Sequence, residues 1–288
     1  MDLNLADWLH LAARWFHVIL GITWIGQTYL FNWLERRLAP PDNPAAKPNV
    51  AGELWMVHSG GFYLVQKQTV PEVMPRTLHW FKWESVLTWL SGMLLLFMVY
   101  YFGGALLNAD SELSTAAAIG LGLGVLVGGT AVYDLLWRSP LGRYESVAVT
   151  ASFLLVLALA YALEGVYSGR GVYIHIGALF GTIMTANVWG RILPAQRTML
   201  AGLAVDPGRN RLGESGTSRP ARGEGRQDPA LAARARRATK HNTYLSVPMV
   251  FIMISSHFPV STYGSGHPLL VLGVLILVGW AAAKVMRG

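Results

Sequence analysis

Cysteine is absent from all 288 residues. Its absence excludes disulfides, thiolate metal sites, iron–sulfur clusters and covalently attached c-type haem, and leaves histidine as the strong nitrogen ligand. Charge is scarce as well. Asp, Glu, Lys and Arg make up 14% of the chain, well below the ~25% of an ordinary soluble domain. No Walker loop, dinucleotide fingerprint or serine-hydrolase elbow occurs, so the soluble enzyme classes built on them compete poorly. The opening MDLNLADW carries acids where a cleavable leader carries bases, so no signal peptide is expected.

Apolar residues are plentiful, at 53% of the chain, with a mean hydropathy of +0.38. They fall in blocks at 15–34, 78–102, 115–136, 147–163, 172–193, 243–258 and 269–283. Several approach the ~20 residues that cross a bilayer, whereas 147–163 and 269–283 need help from their flanks. The expected fold is all-α: a polytopic transmembrane helical bundle of about seven spans, forming one integral membrane domain over 1–288.

Lys and Arg orient it. With the N-terminus outside, the outer segments 1–14, 103–114, 164–171 and 259–268 hold only Arg14 and Arg170 of the 23 Lys and Arg. That positive-inside bias places the C-terminus inside. Residues 35–77 then form an inner loop with a short interfacial helix. Between 191 and 240, 11 Lys and Arg face four Asp and Glu. The basic stretch 200–238 reads as a disordered cytoplasmic loop, low in complexity. It has no aromatic residue to stack a base, so nucleic acid is not an expected partner.

The segment HNTYLSVPMVFIMISSHFP has a histidine near each end, His241 and His257. On a helix they lie roughly 24 Å apart, most of a hydrocarbon core, so they cannot serve one site. The histidines sort by depth. His17, His175 and His257 form an outer layer; His79, His241 and His58 form an inner one. Imidazoles at matched depth on different helices are what a bis-histidine haem or a metal requires. On a helix, His175 shares its face with Ala178, Leu179, Thr182 and Ala186, which leaves room beside the ring, and His17 has Gly21 one turn on.

Glu84, deeper than Lys82 in HWFKWESVLTWLSG, is a candidate proton carrier or acceptor of a substrate N–H. Arg191, in GTIMTANVWGRILPAQR, is the candidate anion binder, because its planar fork matches a carboxylate or purine-anion edge. Ala116, Gly120, Gly124 and Gly128 form a small-residue stripe suited to close helix packing. Asp134 and Arg138 form an i,i+4 pair of structural character.

HVILGITWIGQTYLFNWLE (17–35), ELWMVHSGGFY (53–63), LHWFKWESVLTWLSG (78–92), GTIMTANVWGRILPAQR (181–197) and HNTYLSVPMVFIMISSHFPVSTYG (241–264) together resemble the N-terminal membrane domain of the membrane-bound urate oxidase (urate hydroxylase) family. The resemblance implies a multi-pass protein of the bacterial inner membrane that oxidises urate to 5-hydroxyisourate. Typical members add an eighth helix and an outer c-type cytochrome. This chain ends after its seventh span, has no CxxCH and carries a longer basic insertion over 203–230. A separate c-type cytochrome is therefore the expected electron acceptor, with haem b on the histidines as the expected relay. Two other readings stay open: a haem b electron-transfer subunit without urate chemistry, and a purine transporter.

Overall fold

The computed structural model describes residues 4–69, 77–203 and 229–287. Helix α1 runs from Leu5 to Arg37; the Asn4 side chain caps it by accepting from the Asp7 N–H, and Arg36 and Arg37 sit in its last turn, where the helix dipole favours cations. Next come β1 (Val50–His58) and β2 (Gly61–Gln68), then α2 (Trp83–Leu95), which continues through a π-helical segment, Leu96–Tyr101. Helices α3 (Thr115–Arg138) and α4 (Glu145–Glu164) follow. Helix α5 (Gly169–Asn187) passes through a second π segment, Val188–Ile192, into α6 (Leu193–Leu203). Helices α7 (Pro229–Ser255) and α8 (Pro268–Arg287) complete the bundle.

Five helical stretches among the described residues are long and apolar enough to cross a membrane: 83–101, 115–138, 145–164, 169–201 and 268–287. Helices α1 and α7, of 33 and 27 residues, are long enough as well, but polar residues within them, such as His17, Gln27 and Asn32 of α1 and Lys240, His241 and Asn242 of α7, lower their average hydropathy. The expected loop 200–238 is helical at both described ends, since α6 reaches Leu203 and α7 starts at Pro229. The run PALAARARRATK explains the second end, because Ala and Arg are among the best helix formers. Residues 204–228, the middle of that loop, lie outside the described residues.

The interfacial helix expected in 35–77 is replaced by an antiparallel hairpin. Its two-residue turn is Ser59–Gly60, with φ of 51° and 77°, the left-handed pair that closes tight hairpins. Two short apolar runs rich in aromatic and β-branched residues, LWMV (54–57) and FYLV (62–65), separated by HSGG, carry the strand signal. Backbone bonds between Ala39 and Glu53, 2.7 and 3.1 Å, tie the hairpin to the segment after α1, and a Lys67–Glu35 ion pair ties it to α1 itself.

Helix α5 is the axis of the bundle. In its membrane-length window 72% of residues are buried, against 17–28% in the other four. Small residues let neighbours approach it. A Cβ on Gly177 would lie 2.9 Å from Met253 Cε on α7, and one on Gly129 of α3 would lie 2.8 Å from Leu179. Glycine does pack α3, but not along the expected stripe: a Cβ at Gly120, Gly124 or Gly128 would meet nothing within 4 Å. Gly122, Val125, Leu126 and Gly129 form the contact face instead, at the i, i+3, i+4, i+7 spacing of one helix side. The reason is that α3 has only one crowded neighbour, α5, and the glycine-rich stripe turns away from it. On α8, Gly279 lies against Pro248, whose backbone N would be 2.8 Å from an added Cβ.

Gly279→Ala is expected to destabilise the protein by about 1–3 kcal/mol, the usual scale of overpacking, because the obstacle is rigid proline backbone. Gly124→Ala should leave the melting temperature unchanged or raised. Thermal unfolding of the two purified variants side by side tests the contrast. In the hairpin, the Lys47 ammonium bonding to Glu53, with Gln66 adding a second bond, holds the Glu53 carboxyl below its ordinary 4.5. The stabilisation is therefore present above that ordinary value and lost as pH falls through the lowered one. Trp55 emission should report acid loosening of the hairpin in the wild type, with the pH dependence removed in Glu53→Gln.

Candidate functional site

At the C-terminal end of α5, a set of polar side chains from three helices is joined by hydrogen bonds. Arg191, on the π segment, bonds to Asn187 and to Asp134 of α3. Its guanidinium also lies 5.4 Å from the centre of the Tyr133 ring. The Arg191 side chain is 15% exposed and that of Asp134 26%, whereas Arg138, which bonds Asp134 at 2.9 Å, is 62% exposed. Asp134 thus serves two cations, and the half-buried one depends on it. The expected i,i+4 pair is present, with Arg191 as a third member from another helix.

The bonds around Asn187 have a fixed direction. Arg191 only donates, so the atom of Asn187 that meets it is the carbonyl Oδ1. The amide Nδ2 must then point the other way, and it donates to Tyr133 Oη at 3.1 Å and Asn242 Oδ1 at 2.8 Å. Asn242 in turn donates to the Met184 carbonyl at 2.9 Å. Since Tyr133 accepts from Asn187, its own O–H is directed at His241 Nδ1, 2.6 Å away. That pattern assigns the His241 proton to Nε2. The imidazole is held against Trp137, with ring centres 4.1 Å apart. One buried arginine therefore sets the orientation of an amide, a phenol and an imidazole across three helices.

The π segment makes the geometry accessible. Such segments widen one turn of a helix and recur at functional positions. Here Trp189 points the other way, donating to Ser85 Oγ on α2 at 3.2 Å, while Arg191 faces α3. Asn187 is fully buried and Asn242 is 5% exposed, so each must be satisfied internally.

Glu84 faces a different seam. Its Oε1 accepts from Gln27 of α1 at 3.2 Å, and its Oε2 is buried with no hydrogen-bond partner among the described residues. The structure therefore does not bring Glu84 and Arg191 to one point.

The two histidine layers do not assemble as sets. In the outer layer, His175 is completely buried, with Nδ1 2.7 Å from the Gly171 carbonyl and Nε2 3.2 Å from Tyr101 Oη. The room expected beside its ring is filled by Tyr101, Tyr167 and the close backbone of Gly122. His17 packs on Gly92 of α2, with Nδ1 3.0 Å from both Ser91 Oγ and the Thr88 carbonyl. His257 is exposed in the turn after α7. In the inner layer, His58 is exposed at the hairpin turn, and His79 is exposed before α2, edge-on to Phe81 at 4.6 Å. His241 is the member of the set placed in a polar network with other helices' side chains.

A haem b with two axial imidazoles needs a nitrogen from each and space for the macrocycle between them. His175 as placed offers neither, and no group of three or more His, Asp or Glu among the described residues is arranged to hold a metal ion. As placed, these side chains do not build an axial pair. Tyr133, Asn187 and Asn242 are functional candidates that pattern reading passes over. The available signal was an asparagine inside one apolar run, Asn187, and one at the edge of another, Asn242, since a buried amide requires a partner.

Tyr133→Phe leaves a buried Asn187 N–H and the His241 Nδ1 unpaired, a loss of about 1–3 kcal/mol. Asp134→Asn should cost more than Arg138→Met, because it strands the half-buried Arg191 charge, whereas an exposed pair contributes about 0–1 kcal/mol. Thermal melting of the three variants gives the order, and equal losses for Asp134→Asn and Arg138→Met would contradict it.

The urate oxidase N-terminal family model matches residues 3–287. No curated protein and no solved structure matches the chain.

Proposed function

Because the chain belongs to the urate oxidase N-terminal family, we propose that it is a membrane-embedded oxidoreductase that converts urate to 5-hydroxyisourate and binds the purine anion beside Arg191. The observation that carries this reading is the half-buried, pre-oriented guanidinium at the end of α5, held by Asp134 and Asn187. An arginine fixed in this way presents its remaining N–H donors to a planar anion with little ordering left to be done on binding. Asn187, Tyr133 and His241 extend the same network with groups that donate and accept in alternation, which suits a substrate carrying both carbonyls and ring N–H groups.

In this proposal α1 and α7 join the five apolar stretches as spans, giving seven. The N-terminus is outside and the hairpin and basic segment are inside, as the Lys and Arg distribution favours. The Arg191 network then lies at the cytoplasmic end of the bundle, where urate is met. The membrane is the bacterial inner membrane, by the resemblance described above. Glu84 has a buried oxygen with no hydrogen-bond partner among the described residues; facing α1, it acts on a proton path and not on a purine at Arg191. Oxidation adds the oxygen of water to urate and releases two protons and two electrons. By the resemblance, the electrons end on a separate c-type cytochrome on the outer side.

The test is anaerobic incubation of the purified full chain with urate and ferricyanide, following urate loss and ferricyanide reduction together. Two ferricyanides should be reduced per urate. Arg191→Lys keeps the charge but loses the planar fork, so KM should rise about tenfold, equivalent to roughly 1.4 kcal/mol of binding. Urate uptake into proteoliposomes without any oxidation would sink the enzyme and favour the transporter.

A further inference from the structure

Beside the Arg191 network, a cavity of about 460 Å³ opens between α3, α4, α5, α7 and α8. No step of the urate chemistry uses it. That volume is in the range of small-molecule sites, and its walls are mostly Leu, Val, Ile and Phe side chains. It is elongated: the lining runs along α3 from Val125 to Trp137 and along α4 from Glu145 to Leu159, roughly 21 Å of the latter helix. Two lining residues, Val132 and Leu155, are each 47% exposed on the outer surface of the bundle. The cavity therefore opens sideways, onto the lipid-facing side of apolar helices.

Only one end is polar. Tyr133, His241, Lys240 and Glu145 meet there, with Trp137 tilted against the imidazole. The hydrogen-bond directions set by Arg191 leave the His241 Nε2 proton without a partner among the described residues. Among the described residues that line the cavity the cation is Lys240, which is paired with Glu145. Arg237, which acts electrostatically on His241, does not line it, so the cavity wall itself offers no unpaired cation to a phosphodiester head group. A single imidazole also cannot supply both axial ligands of a bis-histidine haem. What matches is an uncharged planar head with a carbonyl acceptor, on a long apolar tail.

We propose that this cavity binds a prenylated quinone, whose ring lies against Trp137 and whose carbonyl oxygen accepts from His241 Nε2, and that the quinone is the immediate electron acceptor of the enzyme. The electron-transfer part rests on the urate reading; the binding site does not. The balance closes without another oxidant. Two electrons and two protons leave urate as water's oxygen is added, and the same two electrons and two protons convert the quinone to quinol. Tyr133 joins the two places, bonded to Asn187 on the Arg191 side and to His241 on the cavity side.

The experiment uses the detergent-purified full chain with decylubiquinone as the probe, read by quenching of tryptophan emission and, with urate present, by quinone reduction. Saturable quenching and one quinol per urate are expected. Val149→Trp and Val156→Trp fill the apolar wall from α4, away from Arg191. Each should weaken quinone binding at least tenfold while urate oxidation by ferricyanide stays unchanged; His241→Gln should weaken binding several-fold. Absence of saturable quenching, or quenching untouched by both wall variants, overturns the site, as would an absorbance spectrum showing a haem that both variants expel. Saturable quinone binding in a protein that fails to oxidise urate, whether ferricyanide, a c-type cytochrome or the quinone is supplied, would overturn the coupling and the urate reading but leave the site standing. Urate oxidation with ferricyanide and a c-type cytochrome but never with the quinone would overturn the coupling alone.

Discussion

A guanidinium half-removed from water in an apolar bundle must be compensated, and around Arg191 that requirement organises everything nearby. Asp134 supplies the counter-charge from α3 and Asn187 supplies a carbonyl from the same helix. Once Asn187 is held by its oxygen, its amide can only donate, so Tyr133 and Asn242 must accept. The result is a polar network whose directions follow from one residue that can never accept a hydrogen bond. Its members come from α3, α5 and α7, so the network also fixes how those helices sit against one another.

That registration works because α5 can be approached closely. Gly177 admits Met253 of α7, Gly129 admits Leu179, and Gly122 leaves the space that Tyr101, Tyr167 and His175 fill. At the opposite end of α5 from Arg191, the same close packing closes off His175 on both nitrogens. The two ends of the axis thus differ in kind. One is a fully satisfied aromatic and imidazole plug; the other is a charged network with a cavity beside it and one imidazole proton facing outward from it. The proposed chemistry is placed at the second end, where the charged network and the cavity adjoin.

Much of the architecture was legible from residue order. Long apolar blocks, sparse charge and the lopsided placement of Lys and Arg carried the helical membrane reading, because a bilayer imposes length and polarity on every segment that crosses it. The hairpin was readable as well, through the short aromatic and β-branched runs on either side of Ser59–Gly60, but the segment's location between apolar blocks favoured a helix there. The stripe of Gly120, Gly124 and Gly128 shows a different limit. Spacing identifies a face that is able to pack closely, not which face has a neighbour.

For the site, the sequence by itself determined the chemical inventory: an arginine at the end of one apolar run, an acid at the end of another, one asparagine within a run and one at the edge of another, and no thiol anywhere. Side-chain chemistry is local, so it can be read in order along the chain. Tertiary structure decided the partners. Arg191 meets Asp134 across 57 positions of sequence, and Tyr133 meets His241 across 108. Depth on separate helices could group His17 with His175 and His79 with His241, but depth leaves the rotation of each helix undefined. Rotation is set by which faces pack, and that is a property of the whole bundle.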